Sequence, residues 1–203
     1  MRREWREWAL VTAAAALLSI AAARMAWFPG DVALARLVQS ATGAEVGWAR
    51  AVTNTVSPPW SYLFLAIVSA FAWRLAGWRG ALVVVVGFLT LGAGEPIIKG
   101  WIARPRPSPD LVRVTGKPTG FSFPSGFGML YFSMFGTLLL LAARRMAGRA
   151  RTLMLLGCGL FLLVGGCARI ALGAHWPSDI LGAWLVGAAW ILLLLRLVEL
   201  TRR

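Results

Sequence analysis

Apolar runs recur along this chain with basic clusters between them, and that alternation leaves few folds open to it. The runs are Trp8–Ala23, Trp60–Trp73, Ala81–Ile98, Ser125–Ala143, Thr152–Leu172 and Asp179–Leu195. A helix needs about 20 predominantly apolar residues to cross a hydrocarbon core roughly 30 Å thick, and runs of this type and length read as membrane spans. At 203 residues, 59% of them hydrophobic, and a mean hydropathy of +0.70, the chain has more apolar surface than a soluble core of its size would hide. The sequence therefore predicts an all-α, polytopic membrane protein. Six transmembrane helices are expected, forming one domain over residues 1–203.

The charge pattern orients that domain. A net charge of +13 would suggest nucleic acid for a soluble protein, but in a membrane protein arginines collect in cytoplasmic loops facing anionic lipid. The bilayer is thus the expected partner and nucleic acid is not. Both termini and the turns at Arg74–Arg79 and Arg144–Arg151 together carry 12 of the 21 Lys and Arg residues. The termini are predicted cytoplasmic, in an inner (plasma) membrane. Ala21–Ala22–Ala23 resembles a signal-peptide cleavage site, but five further apolar runs favour an uncleaved first helix. Cys158 and Cys167 lie nine residues apart in one run, on opposite helix faces, and suggest neither a disulfide nor a metal site.

Arg24–Pro59 is the longest polar stretch. Asp31 is placed to cap a short amphipathic helix reaching about Gln39, and a second short helix is expected over 44–56, ahead of Pro58–Pro59. These are read as interfacial helices lying along the membrane surface after the first span.

Three polar clusters interrupt the apolar background where runs begin or end: Lys99 with Arg106–Pro107, Pro124–Ser125–Gly126, and Arg169 with His175 and Asp179. Span counting brings all three to the extracytoplasmic face. Lys99 and Arg106 alone would read as a basic helix terminus. Pro124–Ser125–Gly126 alone would read as an ordinary helix start with Ser125 as cap, yet free amides and a hydroxyl at such a start also bind an oxyanion. Arg169 is a charge near the end of an apolar helix, costly unless paired or functional. His175 is the only histidine. Asp179, four residues on, is spaced to hold one imidazole nitrogen and leave the other free as a nucleophile. Glu95 is expected to pair with Lys99 across one helical turn.

The pattern Lys99–x6–Arg106–Pro107, Pro124–Ser125–Gly126, Arg169–x5–His175–x3–Asp179 resembles the type 2 phosphatidic acid phosphatase (PAP2) superfamily, with a motif core over 99–179. The resemblance implies a phosphatase acting on membrane lipid phosphates or diphosphates. His175 would attack phosphorus and form a phosphohistidine, and Asp179 would orient it. Lys99, Arg106, Ser125, the amide of Gly126 and Arg169 would hold the phosphoryl oxygens. Neither metal nor cofactor is implied, because three cations already neutralise the phosphate. Two positions depart from the family pattern. Ala168 stands where a serine is usual, and Phe127 stands where the family has the histidine that protonates the leaving group. Phe127 favours an anhydride substrate such as a polyprenyl diphosphate. It also keeps two alternatives in view: a phosphotransferase using the same intermediate, and a catalytically impaired protein that binds or translocates a lipid phosphate.

Overall fold

The structure, a computed structural model, describes residues 2–200. Eight helices account for its regular structure, and no strand occurs among the described residues. They are α1 (Arg2–Ala22), α2 (Asp31–Thr42), α3 (Gly47–Asn54), α4 (Trp60–Ala76), α5 (Trp78–Ile102), α6 (Gly126–Arg145), α7 (Gly148–Ala171) and α8 (Pro177–Leu200). The all-helical expectation holds, and two short helices do follow the first apolar run.

The number of spans is the point of difference. Among the described residues, four helices are long and apolar enough to cross a membrane: α5, α6, α7 and α8. Helix α4 has 17 residues, which at 1.5 Å per residue reaches roughly 25 Å. Helix α1 has 21 residues, but arginines and glutamates fill its first two turns and alanine dominates much of the rest. Both nevertheless pack into the bundle, α4 along α5 and α1 along α8. The Trp8 indole donates to the carbonyl of Ala189 at 3.1 Å.

Helix α6 is the axis of the bundle, with 72% of its apolar window buried against 22% for α5. It is not a uniform helix. A π-turn occupies Phe132–Gly136 between two α-helical halves, and the Ser133 hydroxyl donates to the carbonyl of Leu130 and the Thr137 hydroxyl to that of Ser133. Around it pack Val83 and Val84 of α5, Leu162 of α7, and Ile191 and Leu195 of α8. Helix α5 runs unbroken through Pro96. Proline removes one backbone donor, and the rest of a well-packed span carries the helix past it.

Large apolar side chains cover the outside of the bundle, Leu10, Leu17, Ile67, Phe71, Leu89 and Leu160 among them. In water that exposure would be a liability; in lipid it is the solvated surface. Tryptophans gather at the helix ends, Trp73 and Trp78 at one end of the α4–α5 pair and Trp60 and Trp101 at the other, as aromatic residues do at membrane interfaces.

Helix α2 starts after Gly30, whose φ of +94° turns the chain. Asp31 does not cap it: no side-chain cap bond forms at this helix start. Its carboxylate is 3% exposed and serves α8 instead. A buried carboxylate goes to the nearest buried cation and unpaired amides, and here those belong to other elements. Gln39 ties α2 down further, donating to the carbonyls of Arg113 and Ile170 at 2.7 and 3.2 Å.

Candidate active site

The site lies at one end of the bundle, where α5 and α7 finish and α6 and α8 begin. Each helix end supplies chemistry for a local reason. Helix α5 closes on Ala103 in the left-handed conformation, and Lys99 on its last turn pairs with Glu95 at 2.7 Å, as the spacing predicts. Helix α6 opens with Ser125 as N-cap, its hydroxyl accepting from the Gly128 amide at 3.3 Å. Ser125 is fully buried, and its own amide donates to the carbonyl of Asp179 at 3.3 Å. At the next position Gly126 lies against the Glu95 carboxylate, which would have to move aside for a Cβ there.

His175 stands in the turn between α7 and α8. That turn is pinned from outside: the Thr115 amide donates to the carbonyl of Leu172 at 2.8 Å. Gly173, at φ +65°, leaves no room for a Cβ against the carbonyl of Arg113. Pro177 then starts α8 at the position proline favours. Asp179, two residues further, reaches back to accept from the Trp176 amide at 2.8 Å, the returning half of a capping box.

The imidazole is 2% exposed. Its Nδ1 lies 3.5 Å from Asp179 Oδ2, at the outer limit of a hydrogen bond, and Nδ1 has no closer partner. Its Nε2 faces the Arg106 Nη1 at 3.5 Å. Burial pushes the pKa down to about 4, with Asp179 opposing and the Arg169 and Arg106 charges adding to the depression. The ring is therefore neutral at pH 7, which a nucleophilic nitrogen requires.

Arg106 donates to neutral groups: the carbonyls of Thr119, Gly120 and Ala174, at 2.7–3.1 Å, besides its longer contact to His175 Nε2. Burial lowers its pKa without removing its charge, and no carboxylate is hydrogen-bonded to it. Arg169, at the end of α7, donates to the Thr53 hydroxyl at 3.3 Å, and its Nε has no partner. Its guanidinium sits 5.7 Å from the Phe127 ring. Phe127 packs into the core beside Tyr131, with centroids 4.3 Å apart.

All seven residues singled out in the sequence thus gather at one end of the bundle. His175 touches Arg106 and Asp179, Ser125 joins Asp179 through the backbone, and Glu95 bridges Lys99 to Gly126. Arg169 closes the group by accepting the Ala174 amide on its carbonyl at 3.1 Å. Among the described residues no cluster of His, Cys, Asp and Glu side chains has the makings of a metal centre.

The sequence reading missed Arg104. This side chain is 1% exposed and forms ion pairs with Asp179 at 2.6 Å and Asp31 at 2.9 Å. The available signal was scarcity: the chain has only 8 acidic residues, and two of them, Asp31 and Asp179, each sit next to a helix start beside apolar sequence.

Comparison with known proteins bears on this geometry. The family model described as PAP2 superfamily matches residues 80–203, more than half of the chain. An undecaprenyl-diphosphatase from Sulfolobus acidocaldarius is 35% identical over 85 residues, which is 42% of this chain and 37% of that relative's length. The fold matches the crystal structure of a transmembrane PAP2-type phosphatidylglycerolphosphate phosphatase from Bacillus subtilis with a TM-score of 0.69, over 94% of this chain and 97% of that one, at 19% identity.

Proposed function

The chain belongs to the PAP2 superfamily, and from that premise we propose that it is a lipid phosphatase working through a phosphohistidine. The observation that carries this reading is the buried, neutral His175 with Nε2 facing the guanidinium of Arg106 at 3.5 Å. A phosphoryl group seated on Arg106 would meet the unprotonated nitrogen directly.

In this mechanism the Nε2 lone pair attacks phosphorus, the bond from phosphorus to the leaving oxygen breaks, and Asp179 stabilises the proton on Nδ1 as the ring takes up charge. Lys99, Arg106, Arg169, Ser125 and the Gly126 amide stabilise the equatorial oxygens. Water then attacks the phosphohistidine and releases inorganic phosphate.

The leaving group selects the substrate. A monoester expels an alkoxide, whose conjugate acid has a pKa near that of water, roughly 15.7. A diphosphate expels a phosphate with a second pKa of about 6. With Phe127 packed into the core, the anhydride is the substrate that needs no strong acid. A polyprenyl diphosphate has that chemistry, in keeping with the name of the Sulfolobus relative. The phosphotransferase alternative would use the same intermediate with another acceptor. The buried, apolar setting of Phe127 is what would favour a protein that binds a lipid phosphate without turnover.

Phosphate release from polyprenyl diphosphate and phosphatidic acid in detergent tests the reading. The diphosphate should be cleaved faster, and radioactive phosphate trapped on the protein should vanish in His175→Ala. Trapping that survives this substitution rejects His175 as nucleophile, and release from neither lipid favours the binding protein.

The same reading has all six apolar helices crossing an inner (plasma) membrane. The termini are then cytoplasmic and the site is extracytoplasmic. Its support is the contrast between the ends of the bundle, with Arg74, Arg79, Arg144, Arg145, Arg149 and Arg151 lying opposite His175. An impermeant thiol reagent should label Lys117→Cys in intact cells, in a chain whose two native cysteines are replaced by serine. Labelling only after lysis reverses the orientation.

A further inference from the structure

We infer that Arg104 and Asp31 are positioning residues, which hold Asp179 from behind and so fix which imidazole nitrogen of His175 is left bare. Their effect on turnover rests on the phosphatase reading; their effect on the imidazole does not.

Asp179 has little freedom. Its Oδ1 accepts from Arg104 Nη1 at 2.6 Å, and its Oδ2 accepts from the Trp176 amide at 2.8 Å. With both oxygens engaged, the carboxylate plane is set, and Oδ2 presents its remaining side to Nδ1 of His175 at 3.5 Å. Arg104 is held as firmly as the group it holds. Its Nε donates to the Met25 carbonyl at 3.1 Å, its Nη1 also reaches the Ser178 hydroxyl at 2.8 Å, and its Nη2 meets Asp31 at 2.9 Å. The Phe28 ring covers the guanidinium at 4.7 Å.

Asp31 completes the arrangement from the interfacial segment. It accepts from the Ser178 amide at 3.0 Å and the Ser178 hydroxyl at 2.6 Å, and from the Phe28 amide at 2.8 Å. It therefore caps α8, the helix that carries Asp179, although it lies nearly 150 residues away in the chain.

Charge gives the arrangement its purpose. Arg104 alone would neutralise Asp179 and weaken its pull on Nδ1–H. Asp31 takes half of that arginine, so the three side chains together carry one net negative charge, and it borders the imidazole. The other charged groups facing His175 are Arg106 and Arg169, both positive. Negative charge behind Nδ1 and positive charge before Nε2 favour the tautomer with the proton on Nδ1 and the lone pair toward the phosphate site.

His175 is the chain's only histidine, so protein labelled with ¹⁵N-histidine and purified without a histidine tag gives one pair of ring signals. At pH 7.5 the parent should show a single tautomer, protonated at Nδ1. Asp31→Asn, which removes one charge and little volume, and Arg104→Gln should each give a mixture of tautomers. On lipid diphosphate, kcat should fall about tenfold in Asp31→Asn with KM within twofold. In an Asp179→Asn background, Asp31→Asn should cost nothing more. An unchanged tautomer in the folded Asp31→Asn protein overturns the inference, and so does a further additive loss in the Asp179→Asn background. If Arg104→Gln does not fold, Asp31→Asn decides; if neither folds, the two residues are structural and the inference falls. A parent that turns over no lipid phosphate rejects the phosphatase reading alone, because the ring signals are read without substrate.

Discussion

Arg104 and Arg106 are two residues apart, each followed by proline, and the regions they build have opposite electrostatic characters. Behind His175, Arg104 is fully buried and shared between two carboxylates. In front of it, Arg106 is half-buried and bonded to carbonyl oxygens and the His175 ring, with no carboxylate among its hydrogen-bond partners. Carbonyls orient a guanidinium without cancelling its charge, whereas carboxylates cancel it. The rear region is thus a closed network that fixes geometry, and the front region keeps its positive charge. Lys99 is an intermediate case, since its partner Glu95 lies against the start of α6, where an arriving phosphate would compete for it.

The contrast can be broken most sharply from the front. Arg106→Ala should lower kcat by about 10³-fold or more, the range found when an arginine that stabilises a phosphoryl-transfer transition state is removed. The melting temperature should move little, because all but one of the lost carbonyl bonds go to the exposed Thr119 and Gly120. An Arg106→Ala protein that is active but unfolds early would place Arg106 with the structural set.

Next in size is the return of an acid. General acids contribute about 10²–10⁴ in rate, so Phe127→His should raise phosphatidic acid hydrolysis by up to that factor and diphosphate hydrolysis far less. Measuring both lipids on both proteins decides it: equal gains would remove the leaving-group argument.

The rear region should respond in the opposite way to the front. Arg104→Ala leaves two buried carboxylates without their cation, a change that costs about 3–5 kcal/mol in comparable buried pairs. Thermal unfolding in detergent should show a large drop in midpoint, where Arg106→Ala shows almost none. Similar drops in the two variants would erase the distinction.

The smallest effect concerns pH. His175 is held below its ordinary pKa, at about 4, by burial. A group depressed in this way contributes stability that is fully present above its unfolded value of about 6.5 and is lost as pH falls through the folded value. Turnover should be flat between about pH 5 and 8 on account of this residue and fall toward pH 4 as the nucleophile protonates. The acid-side loss of stability should be shallower in His175→Ala. A rate profile with its acid limb near 6.5 would mean that the imidazole is solvated.

These regions were unequally legible in the sequence. The front cations, Ser125 and His175 stand at the ends of apolar runs, where a charge or a lone histidine is conspicuous because lipid makes it costly. The Glu95–Lys99 pair follows from helical spacing alone. The rear network is long-range: Asp31 and Ser178 are brought together by packing of the interfacial segment on α8, and no local periodicity encodes that. Asp31 therefore read as the cap of its own helix. The spans of α5, α6, α7 and α8 were readable from hydropathy, but the π-turn in α6 left no trace, because its residues suit an α-helix equally well.

That π-turn has a consequence for how the chain can vary in length. A π-turn holds one residue more than the α-helical path it replaces. Each helical residue contributes about 100° of rotation and 1.5 Å of rise. Removing a single residue from Phe132–Gly136 would let that stretch close as a regular helix with its two halves still in phase, whereas a residue lost from Thr137–Arg145 would swing everything ahead of it by about a quarter turn relative to the neighbouring helices. Ser125 would then leave the neighbourhood of Asp179, and Phe127 would turn away from Arg169. The residue count of α6 can therefore change by one only at the π-turn, which holds its extra residue without altering the phase between the half that anchors the helix and the half that carries Ser125 and Phe127.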